Sequence, residues 1–342
     1  MNLPFLFDIL SINCELRGLA NPSGLALPSD IKSRLRHHPA RNYISFPPTT
    51  KKEYEAFKEA RRDYVTLIRK AVEGTPTWRW LKGLGLEMFF SLPTLGTSPH
   101  PFVGNALTDL GVETYIVGEG EEGVLDNLFK ELEELEGEIF EGAGGALPSP
   151  HTPETIALAA RAHERRGTYL SYPPCCVERF VSGWKEGVKA MVDSLGGAER
   201  AIVAPTLEFT ISIEVIERGL SERVRIGDLD ELATERLPRG FYAFPYDNFY
   251  PCRVGCPAAT YLGLLYEEKL DEGMRRKFRR NLLGRVALET LEAIRYFPSW
   301  PPELKRAHPE VASFVSSLRP GDLNKLLALV EEVYGESPPF IF

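Results

Sequence analysis

Glutamine is absent from all 342 residues and methionine occurs only 4 times, whereas proline occurs 27 times. Shedding thermolabile side chains while stiffening loops is the habit of proteins from hot-growing organisms, so a hyperthermophile source is expected. No run approaches the roughly 18 to 20 apolar residues that a membrane-spanning helix needs, which excludes a membrane partner of that kind. The apolar start, Met1 to Phe7, carries no basic region and meets Asp8 at once. It reads as part of the fold rather than as a leader, and the chain as cytoplasmic. An excess of positive charge is also missing: the net charge is −8. That argues against broad, nonspecific adhesion to nucleic acid while leaving local basic patches open.

What is present is an ordinary globular balance, 43% hydrophobic and 26% charged, on a chain long enough for two domains. Residues 1–78 read as mostly helical. Thr49 and Thr50 offer a cap, and Tyr54, Phe57, Ala60, Tyr64, Leu67 and Ala71 then recur at helical spacing. Residues 79–145 read as a small α/β portion. A strand at 84–92, a helix at 101–109, a strand at 112–117 and a helix at 124–136 alternate in the order that implies parallel pairing. The stretch 142–153 is dense in Gly, Pro and Ser and reads as a linker. Beyond it, 151–342 reads as a helix-rich domain with one strand near 239–244. The expected class is therefore α/β and helix-rich, with a flavodoxin-like parallel portion followed by a mostly helical domain.

The chemistry concentrates in that last domain. Tyr172-Pro-Pro-Cys-Cys-Val-Glu-Arg-Phe180 places Cys175 and Cys176 directly after two prolines, where the spacing of Val177, Phe180, Val181 and Trp184 starts a helix. Phe249-Tyr-Pro-Cys-Arg-Val-Gly-Cys-Pro257 repeats the arrangement, with Pro257 suited to a helix's first position and Cys256 to its cap. Thiols at helix N-termini are favoured as thiolates, the form that metals and electrophiles both take. Four such cysteines match a four-thiolate site, with an iron–sulfur cluster or zinc as its cofactor. The spacing, an adjacent pair and a distant C-x3-C, is neither a zinc ribbon nor a ferredoxin. Two disulfides, buried free thiols or a catalytic cysteine with His163 or His151 as base therefore stay open. Cys14, in an apolar segment, reads as core. Tyr172, Asp247 and Tyr250 are the expected lining of a pocket for an unknown small molecule.

The two cysteine segments resemble an uncharacterised archaeal family over about residues 150–270. That resemblance implies that the four cysteines form one site, and it brings no activity. A second resemblance covers about residues 84–150. Gly96-Thr-Ser-Pro-His-Pro-Phe102 and Gly111 to Glu122 look like the later half of the cobalamin-binding domain that precedes many radical-SAM enzymes. It implies a flavodoxin-like half. The Asp-x-His-x-x-Gly cobalt-ligand motif is absent, as is the three-cysteine motif of the radical-SAM cluster. Gly118-Glu-Gly-Glu-Glu122 reads either as a ligand-crevice loop or as a turn with an acidic helix start. Arg275, Arg276, Lys277, Arg279 and Arg280 form a basic stretch that could contact RNA or a ribonucleoprotein, as could Lys32 to Arg41. The same charges can also be a solvated face balanced by Glu267, Glu268, Asp271 and Glu272.

Overall fold

The computed structural model describes residues 2–22, 37–39, 50–91, 113–142, 153–193, 207–220, 226–246 and 249–335. The first half contains α1 (Leu3–Asn13), β1 (Leu19–Ala20), α2 (Lys51–Val72), α3 (Pro76–Gly83), β2 (Leu86–Ser91), β3 (Glu113–Gly118), α4 (Glu122–Gly142) and α5 (Pro153–Tyr169). The second contains α6 (Pro174–Asp193), α7 (Leu207–Glu214), α8 (Leu229–Leu232), α9 (Pro257–Lys269), α10 (Glu272–Tyr296), α11 (Pro302–Ala307), α12 (Pro309–Ser317) and α13 (Pro320–Tyr334). A π-helical turn, Val215–Leu220, continues α7, and a 3₁₀ turn spans Arg239–Ala243. The protein is helix-rich, and two compact units divide it. One, here the cysteine unit, holds Met1–Leu16, Pro173–Gly183 and Ile202–Phe342; the other, the sheet unit, holds Arg17–Tyr172 and Trp184–Ala201.

In the sheet unit the strands lie in the order β1-β3-β2, and both pairings are antiparallel. This corrects the expected flavodoxin-like parallel pairing. The physical reason is visible in β2, where Leu86, Met88 and Phe90 are buried while Glu87, Phe89 and Ser91 are half-buried. That alternation belongs to a strand packed on one face, whereas parallel strands are covered on both. Ser91 pairs with Glu113 and Leu86 with Gly118, so the chain re-enters the sheet beside the end it left. The helix expected at 101–109 and the loop Gly96 to Phe102 lie outside the described residues.

Tyr115 and Val117 of β3 pack with Leu125, Leu128, Leu132 and Leu135 of α4 and Ala162 of α5. Helix α2 packs against β2. Its start is fixed as the sequence predicts: Thr50 accepts from the Glu53 amide at 3.2 Å while the Glu53 carboxylate accepts from the Thr50 amide at 3.1 Å. Its buried face runs Tyr54, Phe57, Tyr64, Ile68 and Val72, so the last two turns bury Ile68 and Val72 rather than Leu67 and Ala71. After β3, the Glu122 carboxylate accepts from the Gly120 amide at 3.0 Å, and its own amide and that of Gly120 hold its pKa below the ordinary range. The Gly118 to Glu122 segment is thus a turn with an acidic helix start.

The cysteine unit is built on α10, which packs against α13, α7 and α1. Phe7 of α1 meets the rings of Phe278 on α10 and Tyr266 on α9, with centroids 5.1 and 6.1 Å away. The strand expected near 239–244 is instead the 3₁₀ turn, corrected because all three described strands belong to the sheet unit and leave this segment nothing to pair with. Its apolar residues Phe241, Tyr242, Ala243 and Phe244 are buried consecutively, without strand alternation. Helix α9 lies directly on this turn. A Cβ at Gly263 would sit 2.0 Å from the Tyr242 carbonyl oxygen, so only glycine permits the approach. Helix α9 ends at Lys269, because Asp271 caps α10 by accepting from the Met274 amide at 2.9 Å.

Candidate metal centre

Each cysteine pair is placed by its proline. Pro174 opens α6, and the Cys176 amide donates to the Pro173 carbonyl at 2.8 Å, which puts both Cys175 and Cys176 in the first turn. Pro257 opens α9, and Cys256 is its N-cap. Between Cys252 and Cys256 the chain makes a tight turn whose Gly255 has φ +77°, a left-handed conformation that a side chain would strain. The turn is held from outside by Glu214 at the end of α7, which accepts from the Val254 amide at 2.7 Å. The 3₁₀ turn backs it, with a Cβ at Gly240 falling 3.4 Å from Val254 Cγ1.

The four cysteines that the sequence pattern singles out come together, all within the cysteine unit. Their sulfurs lie within 4.8 Å of one another. Cys175 Sγ stands 3.9 Å from Cys176 Sγ and 3.8 Å from Cys256 Sγ, and the latter two are 3.7 Å apart. These separations can be set beside the geometry of the candidate ligands. A tetrahedral ion with metal–sulfur bonds of about 2.3 Å requires sulfurs about 3.8 Å apart along each edge. A four-iron cluster sends each thiolate outward to a separate iron, which sets its sulfurs roughly 6 Å apart. The spacing also differs from disulfide pairing: no cysteine among the described residues is bonded to another, and the contacts do not sort into two pairs.

Burial and hydrogen bonding differ among the four. Cys176 and Cys256 are each 1% exposed, Cys252 is intermediate and Cys175 is exposed. The Cys252 amide donates to Cys176 Sγ at 3.3 Å, the kind of contact that orients and tunes a metal thiolate. Burial pushes the Cys176 thiol well above its ordinary range, and burial together with its sulfur neighbours pushes Cys252 up to about 12. Burial acts the same way on Cys256, but the Ala259 amide and the thiols of Cys252, Cys176 and Cys175 outweigh it and hold that thiol low. A bound cation would release these protons, since a metal takes thiolates.

No family model, curated protein or solved structure matches the chain.

Of the expected pocket residues, Tyr250 carries the Arg285 guanidinium over its ring at 4.6 Å. Tyr172 packs against the core of the sheet unit. Asp247 lies outside the described residues, as do His151 and most of Lys32 to Arg41. His163 is half-buried with its ring 5.0 Å from that of Trp184. Cys14 is half-buried at the C-cap of α1.

The basic stretch is largely engaged within the fold. Arg275 Nε donates to the carbonyls of Glu267 and Leu270 at 3.1 and 2.9 Å, closing the C-terminus of α9. Arg279 pairs with Glu267, and Arg280 Nε donates to Glu332 at 2.8 Å. Arg276 and Lys277 are exposed. Glu214 was not legible as a site residue, because its bond to the cysteine turn spans 40 positions of sequence and leaves no local mark.

Proposed function

We propose that the chain is a metal-thiolate protein in which Cys175, Cys176, Cys252 and Cys256 hold a single tetrahedral ion, zinc in the first instance. The observation that carries this reading is the near-equal spacing of three of the sulfurs, 3.7 to 3.9 Å among Cys175, Cys176 and Cys256, with all four within 4.8 Å of one another. An all-sulfur tetrahedral donor set suits zinc, which has no geometric preference of its own and is held closed by four protein ligands. The ion ties the first turn of α6 to the turn that opens α9, two segments far apart in sequence within one compact unit. Its role is to fix that unit, as structural zinc does. The compactness of the sulfurs favours one ion over an iron–sulfur cluster.

Within the stretch 275–280, support for an RNA-contacting role reduces to Arg276 and Lys277, because Arg275, Arg279 and Arg280 hold other parts of the fold together. Among the described residues, no helix is long and apolar enough to cross a membrane.

Anaerobic purification followed by metal and acid-labile sulfide assays tests the proposal. One zinc per chain without sulfide, lost in Cys252→Ala, is the expected result. Iron accompanied by sulfide would replace the single ion by a cluster, and a metal-free chain with all thiols titratable would remove the centre altogether.

A further inference from the structure

We propose that Cys175 is the reactive ligand of this centre, a metal-bound thiolate that takes an alkyl group from a soft carbon electrophile. The inference rests on the four-thiolate reading and adds an activity to it. Three observations single out Cys175. First, it is the exposed member of the cluster, whereas Cys176 and Cys256 are each 1% exposed. Of the four ligands it is the residue most open to solvent, and so the one an electrophile meets first.

Second, a backbone amide is directed at a buried sulfur: the Cys252 amide donates to Cys176 Sγ at 3.3 Å. Such bonds draw on the sulfur lone pairs and lower their nucleophilicity. The contacts of Cys175 within the centre are with sulfurs, at 3.8 Å to Cys256 and 3.9 Å to Cys176.

Third, four thiolates around a divalent cation leave the centre with a net charge of about −2, held partly out of water. Converting one thiolate into a neutral thioether relieves that repulsion, and the exposed ligand is where this happens without opening the core. The step is a displacement at carbon. A lone pair of Cys175 Sγ forms the sulfur–carbon bond, the carbon–leaving-group bond breaks, and the leaving group departs with its electron pair. Nothing is oxidised or reduced. The substrate class is a small alkyl group on a good leaving group.

Iodoacetamide is the probe. Protein first shown to carry one zinc per chain is treated with less than one equivalent, and the labelled cysteines are mapped by peptide mass spectrometry while bound metal is followed. Cys175 should label about tenfold faster than Cys176, Cys252 or Cys256, and faster than Cys14, the half-buried thiol outside the cluster, with the metal retained. Even labelling, earliest labelling at Cys252 or Cys14, or labelling that keeps step with metal release would overturn the proposal. A chain carrying no metal at the outset fails the four-thiolate reading instead, so the two failures are distinguishable.

Discussion

The two units of this protein place their polar groups differently. In the sheet unit, many charges stay at the periphery: Arg69 and Glu73 are 55% and 46% exposed, and Arg161 and Glu138 are 52% and 53% exposed. Pairs this wet contribute little, so the sheet unit rests on its apolar cluster. The cysteine unit also has wet pairs, such as Arg306 and Glu303 at 72% and 75% exposed, but it draws others inward. Arg279 and Glu267 are 14% and 10% exposed, Arg285 and Glu289 are 9% and 4%, and Ser212 donates to Glu289 at 2.6 Å in the same interior. Added to the four sulfurs, these make a core whose stability depends on partners being present. An apolar core degrades gradually when trimmed, whereas a core of paired polar groups fails when one partner is lost.

Metal removal should expose that contrast most sharply. Four-thiolate zinc sites bind with roughly 10 to 16 kcal/mol at neutral pH, and part of that is folding energy of the segments they tie. Chelation is therefore expected to destabilise the cysteine unit by about 5 kcal/mol or more. Amide hydrogen exchange followed by mass spectrometry gives a reading for each unit separately. Protection should collapse in α6 near Pro174, in α9 and in α10, while β2, β3 and α4 keep theirs. Equal loss in both units would mean that the ion does not act on one unit alone.

The sheet unit has one polar pair that resembles those of its neighbour, and it tests whether burial rather than location sets the sensitivity. Arg61 Nη1 lies 3.0 Å from Glu136, whose carboxylate is 1% exposed, while the arginine itself is 13% exposed. Arg61→Ala removes the cation beside a buried carboxylate and should cost about 2 to 3 kcal/mol, the lower end for buried pairs because the guanidinium is partly wet. Arg161→Ala, at a pair half in solvent, should cost under about 0.5 kcal/mol. Urea denaturation of the two variants compares them directly, and similar midpoints would dissolve the distinction.

What could be read in the sequence follows the same division between local and distant causes. The starts of α6 and α9 were legible because Pro174 and Pro257 act on their own first turns, and the cap of α2 because Thr50 sits at the start of its own helix. That the cysteine pairs meet was not derivable from spacing, since Cys176 and Cys256 are 80 positions apart. The direction of the sheet was not legible because strand-helix-strand order is shared by parallel and antiparallel arrangements, while the informative signal was the alternation of Leu86, Met88 and Phe90 with Glu87 and Ser91. The basic stretch at 275–280 was legible as charge but not as structure. Its partners Glu332 and the carbonyls of α9 come from other turns and helices, and only their positions show that most of these arginines hold the fold.

A further expected effect depends on pH and belongs to the polar interior of the cysteine unit. Burial first, and then the neighbouring Glu289 carboxylate, raise the pKa of Glu292 to about 7, against the opposing pull of Arg295 and Arg285. A carboxyl raised in this way keeps its proton in the folded protein over a range where the unfolded chain has released it. Its ionisation therefore works against folding: stability falls as pH rises from the ordinary carboxyl range through about 7, and the penalty is full above that. Since Glu292 is only half-buried, solvent screening reduces the penalty to about 1 kcal/mol. Glu292→Gln removes the titration without changing side-chain length. Its melting temperature should match that of the wild type near pH 4 and exceed it by a few degrees at pH 8. Melting curves that stay parallel across that range would show that Glu292 ionises as easily in the folded protein as in the unfolded chain, leaving the penalty for buried charge in this unit to the pairs that already have partners.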